Sequence, residues 1–178
     1  NLCLRTAIKI LKPIETFRVK NEQDLYDAVY KMPWNKYLNA SDTLAINATV
    51  FSEKFTHSQF IAYKTKDAIV DKFRDTEGTR PDVDLDNPHL RINVHIQQND
   101  CTISLDSSGE SLHKRGYKTA TNIAPINEVL AAGLVMLSGW DGQCDLLDPM
   151  CGSGTLAIEA AMIACNIPAN INRKQFGF

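Results

Sequence analysis

The sequence is short of the features that mark a specialised compartment or a metal centre. Cysteine is sparse and badly spaced for pairing. Cys3, Cys101, Cys144, Cys151 and Cys165 are odd in number, scattered, and never form C-x-x-C. That argues against a disulfide framework or a zinc site and for free thiols in a reducing compartment. No apolar run reaches membrane-spanning length, and no charged, apolar, small-residue leader opens the chain. The protein therefore reads as soluble and cytoplasmic, with no membrane partner. Neither sign of charge dominates, since 19 basic residues face 21 acidic ones for a net charge of −2. Domains that bind nucleic acid strongly are usually basic, so the average argues mildly against that function. The distribution is less even: residues 1–40 carry seven Lys/Arg against four Asp/Glu, and residues 71–110 carry four against nine. Such polarity can orient a protein on an anionic partner, or simply be a solvated surface.

What is present is an alternation of helical and extended patterns without internal repeats. "DLYDAVYKM" (24–32) sets Leu25, Val29 and Met32 at helical spacing and is stopped by Pro33. "TLAINATVF" (43–51) alternates as a strand with one buried face. Residues 57–75 place Phe60, Ile61, Ala68, Ile69 and Phe73 on a broad helical stripe ended by "EGTRP". Residues 90–109 read as a hairpin, with Ile92, Val94 and Ile96 on one arm and Cys101, Ile103 and Leu105 on the other. His95 falls on the opposite face with no ligand-spaced partner, so it reads as an exposed strand residue. "DVDLDN" (82–87) resembles a calcium loop but has Asn87 where the glycine belongs and Asn93 where the bidentate glutamate belongs. An exposed strand or edge is the better reading, and no metal is expected.

A Ser, Thr and Gly-rich stretch at 106–125 suggests a boundary, dividing the chain into modules at 1–110 and 111–178. Beyond it, Pro125 suits the first turn of a helix, and Ile126, Val129, Leu130, Leu134 and Leu137 share one face. "CDLLD" (144–148) reads as a short buried strand. It runs through "PMCGSG" into the apolar helix that starts "TLAIEAA". Helix, strand, glycine turn and helix form the opening unit of a doubly wound α/β domain.

Gly152 and Gly154 allow close approach of a ligand to the backbone, and the following helix offers its N–H groups and positive dipole end. A tight turn with no ligand is the plain alternative. No lysine follows Gly154, which removes the P-loop. Gly152-Ser153-Gly154-Thr155-Leu156-Ala157 fits the dinucleotide pattern letter for letter, yet the tail "ANINRKQFGF" lacks the ribose-binding acid that pattern requires. A carboxylate at Asp148, four residues before the first glycine, suits a ligand with a positive centre and a free amino group. S-adenosylmethionine has both. Cys151 could serve as a nucleophile, but no base can be assigned to it, and a small buried side chain suffices there. Glu159 reads as a dipole partner or a capped surface residue. "LHKRGYK" (112–118) interleaves basic groups with an aromatic round a glycine, a composition that can pair phosphates and stack a base, or form a solvated linker.

"DPMCGSGTLAIEAA", preceded in order by "SLHKRGYK" and "APINEVLAAGLV", resembles the THUMP-domain RNA methyltransferases, nearest to bacterial enzymes that methylate the exocyclic amine of guanine in 23S ribosomal RNA. The resemblance implies a THUMP-type α/β RNA-binding module followed by the start of a Rossmann-like class I methyltransferase domain. It also implies S-adenosylmethionine as cofactor and ribosomal RNA as partner. Asp148, Cys151, Gly152, Ser153 and Gly154 would form the first cofactor motif, and Lys114, Arg115, Tyr117 and Lys118 the RNA contacts. The family's ribose-binding acid and its Asn/Asp-Pro-Pro-aromatic catalytic loop have no counterpart here; "DNPHL" at 86–90 has one proline and lies in the wrong module. Catalytic residues are therefore expected beyond Phe178, and the chain, which begins at Asn1 rather than Met, is expected to be an inactive piece of a longer enzyme. A non-catalytic RNA-binding protein and a nicotinamide-dependent oxidoreductase remain the alternatives.

Overall fold

The structure, a computed structural model, describes residues 1–118 and 125–177. The chain divides into two compact units, one of residues 11–107 with 177–178, the other of residues 1–10 with 108–176. Residues 1–10, expected in the first module, thus group with the second. Part of the boundary stretch, 119–124, lies outside the described residues.

The first unit is built on a five-stranded mixed sheet of order β1-β5-β4-β2-β3. β1 (Leu11–Arg18) pairs antiparallel with β5 (Asp100–Asp106), and β5 pairs antiparallel with β4 (Leu90–Gln97). β2 (Thr43–Phe51) lies parallel to β4 and to the short β3 (Asp82–Val83). A parallel neighbour requires a crossover, which α2 (Ser58–Glu77) supplies. α2 stops at Gly78, whose φ of 71° lets its N–H reach the Arg74 carbonyl. α1 (Glu22–Lys31) starts at Asn21, whose side chain accepts from the Asp24 N–H, while Asp24 returns a bond to the Lys20 N–H at 2.9 Å.

The β4–β5 hairpin and β2 fall where the alternation places them. Ile92, Val94, Ile96, Cys101 and Ile103 join Leu25, Val29, Trp34, Ile61, Ile69 and Phe73 in one apolar core. Phe60, expected on the buried stripe of α2, is exposed. His95 is half-buried, its ring 5.8 Å from Phe51. β1 has no counterpart in the sequence reading. It is an edge strand carrying Pro13 and a register shift next to it, with no clean alternation to announce it. In the acidic loop after β3, the Asp84 carboxylate accepts from the Asp86 and Asn87 N–H groups and closes a turn.

The second unit contains α3 (Glu128–Leu137) and α4 (Thr155–Ala164), which pack together. α3 is capped by Asn127, which accepts from the N–H groups of Val129 and Leu130. Its phase differs from the expected one: Val129, Ala131, Ala132 and Val135 are buried, whereas Leu130, Leu134 and Leu137 are exposed. The helix is apolar nearly all round, so hydrophobicity does not select a face. The inward-facing Glu128, paired with Lys118 at 2.9 Å, marks the one chosen. The strand expected at 144–148 is irregular backbone instead, with Leu147 88% exposed. A strand needs a neighbour to complete its ladder, and among the described residues this unit contains no other strand.

Candidate functional site

The glycine turn is assembled from short-range bonds. Asp148, half-buried, accepts the Met150 N–H on Oδ1 at 3.1 Å, and the Gly154 N–H donates to the Cys151 carbonyl at 2.7 Å. Gly152 and Gly154 both adopt left-handed backbone, with φ of 53° and 73°. A side chain at either would be strained whatever the space. Space is in fact open: a Cβ on Gly152 would meet nothing nearer than the Met150 carbonyl at 3.9 Å, and one on Gly154 nothing nearer than Ile158 Cδ1 at 4.0 Å. The turn is a bare backbone cradle at the start of α4, whose first internal bond runs from the Ile158 N–H to the Gly154 carbonyl. Ser153 Oγ and Thr155 Oγ1 lie 3.2 Å apart beside it. Cys151 is exposed rather than buried.

The basic motif behind this turn is placed differently from the expectation. Arg115 is 1% exposed. Its guanidinium donates to the carbonyls of Leu4, Arg5 and Leu112 and to Asn170 Oδ1, and lies 3.5 Å from Glu159. The Tyr117 hydroxyl donates to the same Glu159 oxygen at 3.0 Å. Lys118, nearly buried, pairs with Glu128 and reaches the Ile126 carbonyl at 3.4 Å. Three of the four residues expected to contact RNA are therefore turned inward, most of their bonded donors directed to this unit's own acceptors. Lys114 alone of the four is exposed, and it pairs with Glu110. Gly116 separates Arg115 from Tyr117 at a φ of +85°, with the Asn172 carbonyl only 2.6 Å from where a Cβ would sit.

Glu159, read as a surface or dipole residue, is fully buried. Burial pushes its carboxyl above the usual glutamate range, against the opposing pull of Arg115 and the Tyr117 hydrogen bond. Tyr117 is raised as well, first by burial and then by the Glu159 charge. Around this core Arg5 donates to the Met162 and Ile167 carbonyls, and Asn170 Nδ2 donates to those of Asn1 and Leu4. Nothing in the local sequence around Arg5 or Asn170 signals these partners more than 100 residues away. Glu159 was visible as the single charge in an apolar helix.

Among the described residues no cluster of His, Cys, Asp or Glu is arranged to hold a metal, and no helix is long and apolar enough to cross a membrane.

Two family models match the chain in succession: the THUMP domain over residues 19–106, and the RMKL-like methyltransferase domain over residues 115–178. The chain thus carries, in order, a THUMP domain and sequence of an RMKL-like methyltransferase domain. Among curated relatives, the ribosomal RNA large subunit methyltransferase K/L of Syntrophotalea carbinolica is 43% identical over 99% of this chain and 26% of its own length. The "Putative RNA methyltransferase" of Synechocystis sp. is 44% identical over 94% of this chain and 44% of its own. Among solved structures, a "putative methyltransferase complexed with SAH" aligns with a TM-score of 0.85 at 33% identity, over 99% of this chain and 47% of that one. A Listeria monocytogenes protein described as a "predicted N6-adenine-specific DNA methylase" gives the same score at 29% identity, over 99% and 46%. The chain thus spans between a quarter and a half of the length of the relatives it matches.

Proposed function

We propose that the chain carries the RNA-binding module and the first half of the S-adenosylmethionine site of a cytoplasmic RNA methyltransferase. The favoured target is the exocyclic amine of a guanine in 23S ribosomal RNA. The observation that carries this reading is the turn at 148–154, where two left-handed glycines leave an open cradle beside a half-buried carboxylate. Both features fit the cofactor. Asp148, with one oxygen spent on the turn, has a second to offer an ammonium or sulfonium, and the Gly152–Gly154 backbone offers a flat surface to the methionine moiety. Ser153 and Cys151 line the same turn. When bound, S-adenosylmethionine supplies a methyl group on a positively charged sulfur. This chain's residues place that group, and no catalytic residue is assigned within 1–178. The ribosomal RNA relatives and the THUMP match support RNA over DNA, and Lys114 is the member of the basic motif whose exposure suits a phosphate contact.

Calorimetry with S-adenosylhomocysteine on the full-length protein tests the assignment. Gly154→Val should abolish binding. Asp148→Asn should weaken it by roughly 10- to 150-fold, the worth of one charge-assisted hydrogen bond. Binding of NADH without S-adenosylhomocysteine would move the turn to the dinucleotide class. The chain 1–178 alone, given labelled S-adenosylmethionine and undermethylated ribosomal RNA, should transfer no label.

A further inference from the structure

The best-buried charges of the second unit lie behind the cofactor turn, and the sequence of α4 suggests what they do there. The helix reads Thr155-Leu156-Ala157-Ile158-Glu159-Ala160-Ala161-Met162-Ile163-Ala164. Apart from Thr155 and Glu159 its surface is apolar on every side. Packing of such a helix is tolerant, because a rotation or a slide exchanges one small apolar contact for another. Glu159 is the exception. It is fully buried one turn after Thr155, and an ionised carboxylate is costly there unless its partner is met in one particular geometry.

The partner is held from several directions. Arg115 is tied by three backbone carbonyls and the Asn170 side chain, so its guanidinium cannot follow a moving helix. Tyr117 reaches the same Glu159 oxygen. Gly116 between them fits against the Asn172 carbonyl with no room for a Cβ. Compensation is incomplete even so: among the described residues Glu159 Oε2 has no hydrogen-bond partner, and Arg115 Nε only the ion-pair contact with Glu159 Oε1 at 3.5 Å. An apolar pair in the same space is often as stable as a buried ion pair or more so, which points to a role other than stability.

We infer that Arg115, Tyr117 and Glu159 form a positioning cluster that fixes the rotation and axial register of α4, and through it the glycine turn that begins the helix; this rests on the assignment of S-adenosylmethionine to that turn. Within the motif "LHKRGYK", Arg115 and Tyr117 then serve the cofactor site rather than RNA, and Lys114 is left at the surface. Arg115, Tyr117 and Glu159 are positioning residues, since their contacts are with protein groups and not with the reacting atoms.

The test uses the full-length protein and three variants: Tyr117→Phe, Glu159→Gln, and the double change Arg115→Met with Glu159→Leu. S-adenosylhomocysteine affinity, RNA affinity, thermal midpoint, and KM for S-adenosylmethionine against kcat are measured on each. Tyr117→Phe should weaken S-adenosylhomocysteine by about tenfold, the size of one hydrogen bond to a charged group, raising KM for the cofactor with little change in kcat or RNA affinity. Tyr117→Phe should melt near the wild-type temperature despite that loss, whereas the double apolar variant also strips donors from the Leu4, Arg5 and Leu112 carbonyls and should melt lower, with a loss of affinity at least as large. That pairing separates positioning from stability. Wild-type affinity in Tyr117→Phe, together with wild-type affinity in either folded charge variant, would overturn the inference alone. A wild-type protein that binds no S-adenosylhomocysteine would instead overturn the cofactor assignment, and the inference with it.

Discussion

In the sheet unit, the buried residues between the helices and the strands are nearly all apolar, from Val19 and Leu25 through Phe73 to Ile103, with Thr65 of α2 a polar exception. In the glycine-loop unit, the centre holds Arg115, Glu159 and Asn170, all at most 1% exposed, while Leu130, Leu134, Leu137 and Leu147 face outward. The first arrangement takes its stability from apolar area, which is indifferent to small shifts. The second takes its shape from directional bonds that exist in one geometry only. On the proposed function, the first suits a recognition module, which needs a robust platform, and the second a cofactor turn, which needs a fixed one.

The cysteines offer a direct probe of this contrast, because the four exposed thiols, Cys3, Cys144, Cys151 and Cys165, lie in the glycine-loop unit and Cys101 lies in the sheet core. Burial pushes the Cys101 thiol up to about 12, so both access and ionisation oppose its reaction. Alkylation under native conditions should modify the four rapidly and Cys101 on the order of 1,000-fold more slowly or less, at the rate of unit opening. Mass spectrometry of the labelled peptides reads this. Comparable labelling of Cys101 would mean that the sheet unit is not the robust partner.

Core truncation should come next in size. Phe73→Ala should cost the sheet unit about 3–5 kcal/mol in urea denaturation and bring Cys101 labelling forward. Gly116→Ala should cost about 1–3 kcal/mol from overcrowding against Asn172, with further strain from its positive φ, and should leave Cys101 protected. Protection lost in both variants would mean that the two units open together.

Acidity provides a gentler lever. The Glu159 carboxyl is raised in the folded state above its ordinary value, so the folded unit holds that proton more tightly than the unfolded chain. Its contribution is fully present below the ordinary glutamate range and is lost as pH rises through the elevated folded value. The thermal midpoint of the glycine-loop unit should carry this downward component as pH rises above the ordinary glutamate range, and Glu159→Gln should remove it. An unchanged pH profile in that variant would place the titration elsewhere. Smallest of all, Leu137→Ala should shift stability by no more than about 0.5 kcal/mol, since the side chain is 86% exposed.

The elements most legible in the sequence were those whose own pattern decides their environment. β2 and the β4–β5 hairpin alternate, α2 ends at a glycine, and the glycine turn opens an apolar helix. The misplaced features are those decided by distant residues. Whether Arg115 meets solvent or carbonyls depends on Leu4, Arg5 and Asn170, none of which its neighbours in sequence reveal. The same holds for α3, where leucines and valines alternate too evenly to select a face and Lys118 meets Glu128 on the side that is buried. Segment 144–148 has a strand's composition, but composition cannot supply the neighbouring ladder.

The pairing of β1 with β5 has one more consequence, for the order of folding. It sets Leu11 opposite Asp106, so the sheet unit leaves and re-enters the other unit's chain at adjacent points. Before that pairing forms, bringing Arg5 to Arg115 means closing a loop of 110 residues. Afterwards the effective loop is only the few residues on either side. Because closure entropy grows as the logarithm of loop length, the folded sheet lowers that cost by roughly 2 kcal/mol. The apolar module thus acts as a clasp, and the directional network of the glycine-loop unit can form cheaply only after the clasp has closed.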